Sequence, residues 1–167
     1  MVAGAVNKLA FSTVPSGNQT ATATATIGPY QVQQQDQFGN PVTAGSNVTV
    51  NLTSNSTGTK FFHLTSGGAS GTATTTITIN AGQSTSGNFY YADTKAASPT
   101  LTAQAAGITN NGTTSPTIVA ATQAGIIVSN ITTSPTPALS QSGAIGTTLA
   151  YSSTGESNAS ALLTASV

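Results

Sequence analysis

Asn47 to Thr53, NVTVNLT, alternates without a break: Val48, Val50 and Leu52 fall on one side of an extended chain, and Asn47, Thr49, Asn51 and Thr53 on the other. Successive side chains of a strand point to opposite faces, so this stretch reads as a half-buried β-strand with its aliphatic face in a core. The segment Thr72 to Asn80 repeats the pattern. Thr72, Thr74, Thr76 and Thr78 share one face, and the opposite face turns apolar towards Ile77 and Ile79. No window carries a 3.6-residue apolar stripe with helix caps, so the chain is expected to be all-β.

Working outward, period-2 segments recur about every ten residues, the spacing of a β-sandwich. Strands are expected at Val6 to Thr13, Thr20 to Ile27, Tyr30 to Gln37, Lys60 to Thr65, Ser84 to Tyr91 and Thr100 to Ala105, beside the two above. The turns between them carry residues that favour positive or fixed φ: Pro15-Ser-Gly, Gly28-Pro29, Phe38-Gly-Asn-Pro, Ser66-Gly-Gly, Ala81-Gly82 and Ser98-Pro99. Further short strands are expected at Thr117 to Ala121, Gly125 to Ile131, Gly146 to Ser153 and Ala159 to Ser166, with TTSPTP at 132–137 the most linker-like piece. This gives an N-terminal strand over residues 1–14, a sandwich core over 15–107, and additional strands over 108–167 that complete or extend it.

Composition narrows the chemistry. Charged residues are 4 % of 167, three Lys and three acids, and Arg is absent; a phosphate-binding basic surface cannot be built from this inventory, so no nucleic-acid partner is expected. With no cysteine, disulfides and thiolate metal sites are excluded. No apolar run approaches the ~20 residues of a membrane-spanning helix. The start, MVAGAVNKLAF, has no charge ahead of its apolar residues and is read as the beginning of a mature chain.

Catalysis has little to draw on. His63, in KFFHLTSGG, is the single imidazole, and a lone His on a strand is far more often structural than a general base. Asp36, Asp93 and Glu156 are the whole carboxylate supply, too few and too scattered for a calcium cage or a glycosidase pair. Hence no catalytic, cofactor-binding or metal site is expected. Lys8, Lys60 and Lys95 could in principle enter a Lys to Asn crosslink, but unlinked surface residues are the simpler reading. The TATATAT run, Thr20 to Thr26, invites an ice-binding reading, yet the chain lacks the fixed-period repeat that a flat threonine array requires.

Two denser signals remain. Asn-x-Ser/Thr triplets occur at Asn18, Asn47, Asn51, Asn55, Asn111, Asn130 and Asn158, and the strand register puts Asn47 and Asn51 on the outward face, with Asn55 just beyond. These are the expected acceptors of N-linked glycans, which would solubilise a chain of near-zero net charge. The second is QQQDQFGNPV, Gln33 to Val42. Here Asp36 is expected to end a strand and accept backbone N–H bonds across a turn. Phe38 should point to the core, Gly39 and Asn40 make the turn, and Pro41 set the entry to the next segment.

Read in order, KLAFSTVPSG, YQVQQQDQFGNPVTAGSNVTVNLTS, TTTITINAGQSTSGNFYYAD and PTLTAQAAG resemble the bacterial immunoglobulin-like repeats of invasin and intimin type adhesins over roughly residues 8 to 107. The resemblance implies an immunoglobulin-like β-sandwich used as a spacer or adhesive module. Those repeats usually follow one another, and residues after about 107 do not restart the unit. In general character, with its triplets, low charge and lack of cysteine, the chain is also similar to subunits of archaeal surface threads. That likeness implies an extracellular, cell-surface location and a homopolymer of identical subunits joined by donor strands. The expected donor is the N-terminal segment, with Val2, Val6, Leu9 and Phe11 filling pockets of a neighbour; the alternatives are that this segment is the first strand of its own sandwich, and that ALLTASV at the C-terminus is the donor. With so few acids to protonate, stability is expected to change little from neutral pH to strong acid.

Overall fold

The computed structural model describes residues 4–121. These form two four-stranded antiparallel sheets facing each other across one apolar core. The first sheet has the order β1 (Lys8–Thr13), β3 (Thr22–Gln35), β7 (Phe89–Asp93), β5 (Lys60–His63). The second runs β6 (Thr76–Ile79), β4 (Val48–Ser54), β8 (Leu101–Ala105), β9 (Gly112–Thr114). A short parallel pair, β2 (Gln19–Thr20) with β10 (Ile118–Val119), lies outside both. Among the described residues the only helical element is a 3-10 turn, Ser70–Thr72, so this is an all-β sandwich.

The alternation in NVTVNLT sets the second sheet. Val50 and Leu52 are buried while Thr49, Asn51 and Thr53 are exposed, and β4 pairs Val50 with Ile77 on one side and with Ala105 on the other. Ile77 and Ile79 face the same core. Opposing them, the first sheet supplies an aromatic cluster. Tyr30 stacks on Phe89 at 5.5 Å, and Phe62 lies 5.1 Å from Tyr91 and 6.2 Å from Phe89. Each fully buried aromatic or aliphatic side chain contributes roughly 1.5–3 kcal/mol, so this cluster dominates the stability of a domain without disulfides.

Three expected boundaries move. Gly28-Pro29, read as a turn, instead lies inside one 14-residue strand. Its peptide bond is cis, and the β3–β7 register shifts there, with Ile27 opposite Tyr91 and Tyr30 opposite Phe89. That is a β-bulge, which lets the strand bend and continue. Only Gly fits at position 28: a Cβ there would sit 2.9 Å from a ring carbon of Tyr90 and 3.1 Å from the Phe89 carbonyl oxygen. Secondly, Thr72 to Asn80 is not one strand. Thr74 N–H bonds the Phe62 carbonyl of the first sheet, and the next carbonyl, Thr75, accepts Leu52 N–H of the second, so the chain changes sheets before β6 begins. Thirdly, Ser84 to Tyr91 is interrupted. Ser84 and Ser86 bond the backbone of β3, and the regular strand starts only at Phe89, after Gly87 and Asn88. The strands expected at 125–131, 146–153 and 159–166 and the TTSPTP segment lie outside the described residues.

Candidate functional site

β3 acts as a ruler for the sandwich. At about 3.3 Å per residue its 14 residues span ~40 Å, and the first and the last of the described residues lie at its opposite ends. Gly4 donates its N–H to Asp36 Oδ2 at 3.0 Å, and Asn7 N–H bonds the Gln35 carbonyl, so the first described residues lie beside the C-terminal end of β3, the entry pole. At the opposite end Thr22 pairs with Asp93, Ala21 N–H bonds the Val119 carbonyl, and Ile118 bridges Ala97. β10, the last described strand, therefore lies at the far pole, the exit pole.

The entry pole is built on Asp36. Its side chain is 2 % exposed, and Oδ1 accepts the N–H groups of Phe38 and Asn40, each at 2.9 Å. Oδ2 accepts Asn40 Nδ2 at 2.9 Å together with Gly4 N–H. The Asn40 side-chain bond, then the Gly4 amide, then the other two amides outweigh the cost of burial and hold the carboxyl at about 2, below its ordinary 3.8. Gly39 takes φ +91°, and Pro41 bridges back to Gln35. Asp36 thus accepts three donors from its own turn and a fourth from Gly4. One part of the expected turn is corrected: Phe38 is 79 % exposed and does not point to the core. The tight turn spends the Phe38 backbone on Asp36 and leaves the ring facing solvent.

The exit pole is built on Asp93, which is fully buried. Tyr91 donates its hydroxyl to Asp93 Oδ2 at 2.8 Å, Lys95 N–H bonds Oδ1 at 2.9 Å, and the Tyr91 oxygen lies 2.7 Å from Ser54 Oγ. Burial, first of all, raises the Tyr91 hydroxyl above its ordinary titration range, so it stays protonated as a donor. Ser54 and Ser56 continue the network through the β4–β5 loop, bonding Ser56 N–H and Gly58 N–H. The amine of Lys60 goes to the Ser56 carbonyl and that of Lys95 to Thr57 Oγ1, so neither makes a bond to Asp93. Nothing in the sequence marked this network.

β1 closes one seam between the sheets. Lys8 to Phe11 pair antiparallel with Gln35 to Val32 of β3, and Leu9 N–H reaches across to the Asn110 carbonyl beside β9. Leu9 is buried, and Phe11 packs edge-on against Tyr30 at 6.0 Å and against Phe89 at 6.2 Å. The other residues expected to fill pockets are placed differently: Val6 is 38 % exposed, and Val2 lies outside the described residues. In this chain, β1 occupies the first seat of its own sandwich.

Five of the Asn-x-Ser/Thr asparagines, Asn18, Asn47, Asn51, Asn55 and Asn111, are exposed; Asn130 and Asn158 lie outside the described residues. Asn47 Oδ1 accepts Ala81 N–H at 2.9 Å and Asn55 Oδ1 accepts Thr100 N–H at 2.8 Å, which leaves each Nδ2 for substitution. Asn51, mid-strand, faces outward between Thr76 and Gln104.

His63 serves the fold. Thr65 donates its N–H to Nδ1 at 2.9 Å and Nε2 lies 2.9 Å from Thr72 Oγ1, so both ring nitrogens pin the loop after β5. In the TATATAT run, Thr22, Thr24 and Thr26 bond one another along a single strand instead of forming a multi-strand array. Among the described residues, no three His, Cys, Asp or Glu side chains come together as a metal site. No helix among them is long and apolar enough to cross a membrane.

No protein-family model matches the chain, and no curated protein matches it. Among solved structures, it is similar to domains 4 and 5 of the S-layer protein SbsC, at 19 % identity and TM-score 0.41 over 68 % of this chain and 52 % of that one. It is also similar to the longer S-layer protein structure rSbsC(31-844), at 20 % identity and TM-score 0.37 over 75 % of this chain and 14 % of that one. The chain thus spans about half of the first structure and a seventh of the second. Likeness at this level carries no argument about function. The class that the strands themselves define is an all-β sandwich.

Proposed function

We propose that the protein is a structural subunit of an extracellular surface filament, linked end to end through its two poles. The observation that carries this reading is the placement of the described residues: Gly4 lies beside Asp36 and β10 lies at the pole of Asp93, ~40 Å apart along β3. Joints at those two poles would extend a line, whereas two joints at one pole would branch from it. The division of strands supports an immunoglobulin-like reading: β1-β3-β7-β5 follows the A-B-E-D order and β4-β8-β9 the C-F-G order, with β6 added at the β4 edge.

The joint we propose is exchange of β1. It is an edge strand, it lies near the N-terminal end of the described chain, and its removal would uncover Tyr30, Val32 and Phe89. The same Leu9 and Phe11 from a neighbour would fill that seat, and a head-to-tail contact of this kind propagates without closing. N-linked glycans on the outward β4 face, at Asn47, Asn51 and Asn55, would keep the uncharged surface soluble. A second reading, a spacer module inside a larger cell-surface protein, draws on the same opposite poles but leaves β1 at home.

One experiment separates the two. Ala10 and Gln33 are register partners across β1 and β3, so Ala10→Cys with Gln33→Cys in one chain reports whose β1 is seated. After oxidation of purified assemblies, strand exchange yields a covalent ladder on a denaturing gel. A monomer band alone would exclude exchange and leave the spacer reading. Mass spectrometry of native material tests the three glycan sites, and unmodified Asn47, Asn51 and Asn55 would remove the glycan part of the proposal.

A further inference from the structure

β6 ends the second sheet, and its outer edge is where another chain could add a strand. The register fixes which groups that edge presents. Leu52 N–H bonds the Thr75 carbonyl, so Ile77 and Ile79 are the hydrogen-bonded partners along β4, and Thr76 and Thr78 turn their N–H and C=O groups away from it. Both threonines are exposed. Lys and Pro, the residues that commonly blunt such an edge, are absent from Leu64 to Ala92, and that stretch carries no charged residue.

One hydroxyl closes the edge instead. Thr74 Oγ1 accepts the Thr76 N–H at 3.1 Å and donates to the Thr76 carbonyl at 2.8 Å. An extended residue shows its N–H and C=O on the same side, so a hydroxyl between them fills the place that a partner strand's backbone would take. The same bracket recurs on β3, in the part that runs on past its last pairing with β1 at Gln31. There Thr22 Oγ1 accepts the Thr24 N–H at 3.1 Å and donates to the Thr24 carbonyl at 3.0 Å.

We propose that Thr74 is a gatekeeper, whose hydroxyl keeps the β6 edge shut against β6 of a second copy. That partner is the one the edge fits. With Ile77 facing Ile77 across a two-fold axis, Thr76 of each copy meets Thr78 of the other, and each pair exchanges N–H and C=O groups in register. The two edges carry no like charges to hold them apart, and Ile77 and Ile79 stay on the core face of one continuous sheet. The bracket prevents this sideways pairing whether or not copies are joined through β1.

The test compares sedimentation and hydrogen exchange of the full chain and its variants at matched concentrations, so that any joint at the poles is common to all. Thr74→Val and Thr74→Ala both remove the hydroxyl, the first at nearly constant shape. Expected for each is a concentration-dependent rise in sedimenting mass over the wild type, with exchange at the Thr78 amide slowed at least about fivefold, the effect of one net hydrogen bond. Thr74→Ser keeps the hydroxyl and should behave as the wild type. Adding Thr78→Lys to Thr74→Val sets like charges on the two copies at the joint and should return both readouts to wild-type values. The proposal is overturned if both hydroxyl-free variants match the wild type in mass and Thr78 exchange. It is also overturned if the double variant still associates, since the contact would then lie elsewhere.

Discussion

The two poles of the sandwich each bury one aspartate, and they use it in opposite ways. Asp36 collects three backbone amides and the Asn40 side chain, all from its own turn except Gly4 N–H. Asp93 receives a buried phenol and one amide, and through Tyr91 it is tied to Ser54, 39 positions earlier in the chain (93 − 54). A carboxylate ringed by local amides fixes a turn and whatever strand end reaches it. One bonded to a core side chain ties the packing of the aromatic cluster to a loop. The entry pole should therefore loosen locally when disturbed, and the exit pole should take the core with it.

The largest break in that comparison is Asp93→Ala. It removes a fully buried acceptor, strips Lys95 N–H of its partner and leaves Tyr91 with Ser54 alone, so a global loss of about 3 kcal/mol in a urea titration is expected. Asp36→Ala should cost less, and hydrogen exchange should show its effect concentrated at Gly4, Phe38 and Asn40. Equal losses, or equally global exchange, would mean that the poles are not distinct.

Glycine substitutions sharpen the contrast at smaller scale. A Cβ at Gly58 would lie 2.6 Å from Asp93 Oδ1 and 2.7 Å from Lys95 Cβ, so Gly58→Ala must displace the buried acid and should cost about 2 kcal/mol. At the entry pole, a Cβ at Gly39 would meet nothing closer than 3.9 Å, and the obstacle to Gly39→Ala is its φ of +91°, worth about 1 kcal/mol. Thermal unfolding of the two variants tests the order; the reverse order would place the tighter packing at the turn.

These contrasts also mark what was legible in the sequence. Val48, Val50 and Leu52 announced the core face of β4 because a strand's period is fixed by its backbone, and no partner need be known. Asp36 was legible for a similar reason, since three of its four donors lie within four positions and D-x-F-G-N-P carries the turn chemistry in order. Phe38 was misread because residue type gives affinity for a core but not direction, and the turn's own bonds decided the direction. Gly28-Pro29 looked like punctuation, yet a bulge uses the same residues as a turn. The Asp93 network left no trace because its members come from β4, β7 and the loop after it, and only the folded register brings them together. β2 and β9, at two and three residues, are too short to carry a period.

Gln34 offers a change in the opposite direction. It is 3 % exposed, it pairs in register with Leu9, and its Nε2 has no partner among the described residues. Gln34→Met keeps the shape and removes the stranded donor, so a gain of about 1 kcal/mol in urea is expected. A loss would show that the amide is satisfied and that β1 depends on it, which bears directly on whether β1 can leave its seat.

The smallest effect is the one acid can reach. Asp36 titrates at about 2 when folded against an ordinary 3.8, so its folded value is depressed, and the stability it contributes is complete above the ordinary value and lost as pH falls towards 2. Between neutral pH and about 4 the contribution of this group should be flat, in line with a chain that has so few acids. Below that, protonation weakens the bonds from Gly4, Phe38 and Asn40 and loosens the entry pole first. Asp36→Asn keeps one acceptor oxygen and abolishes the titration, so its unfolding midpoint should be lower than that of the wild type at pH 6 and should fall less between about pH 4 and 2. If the two proteins lose stability in parallel over that range, another group is responsible, and the entry pole is not the acid-sensitive end of the sandwich.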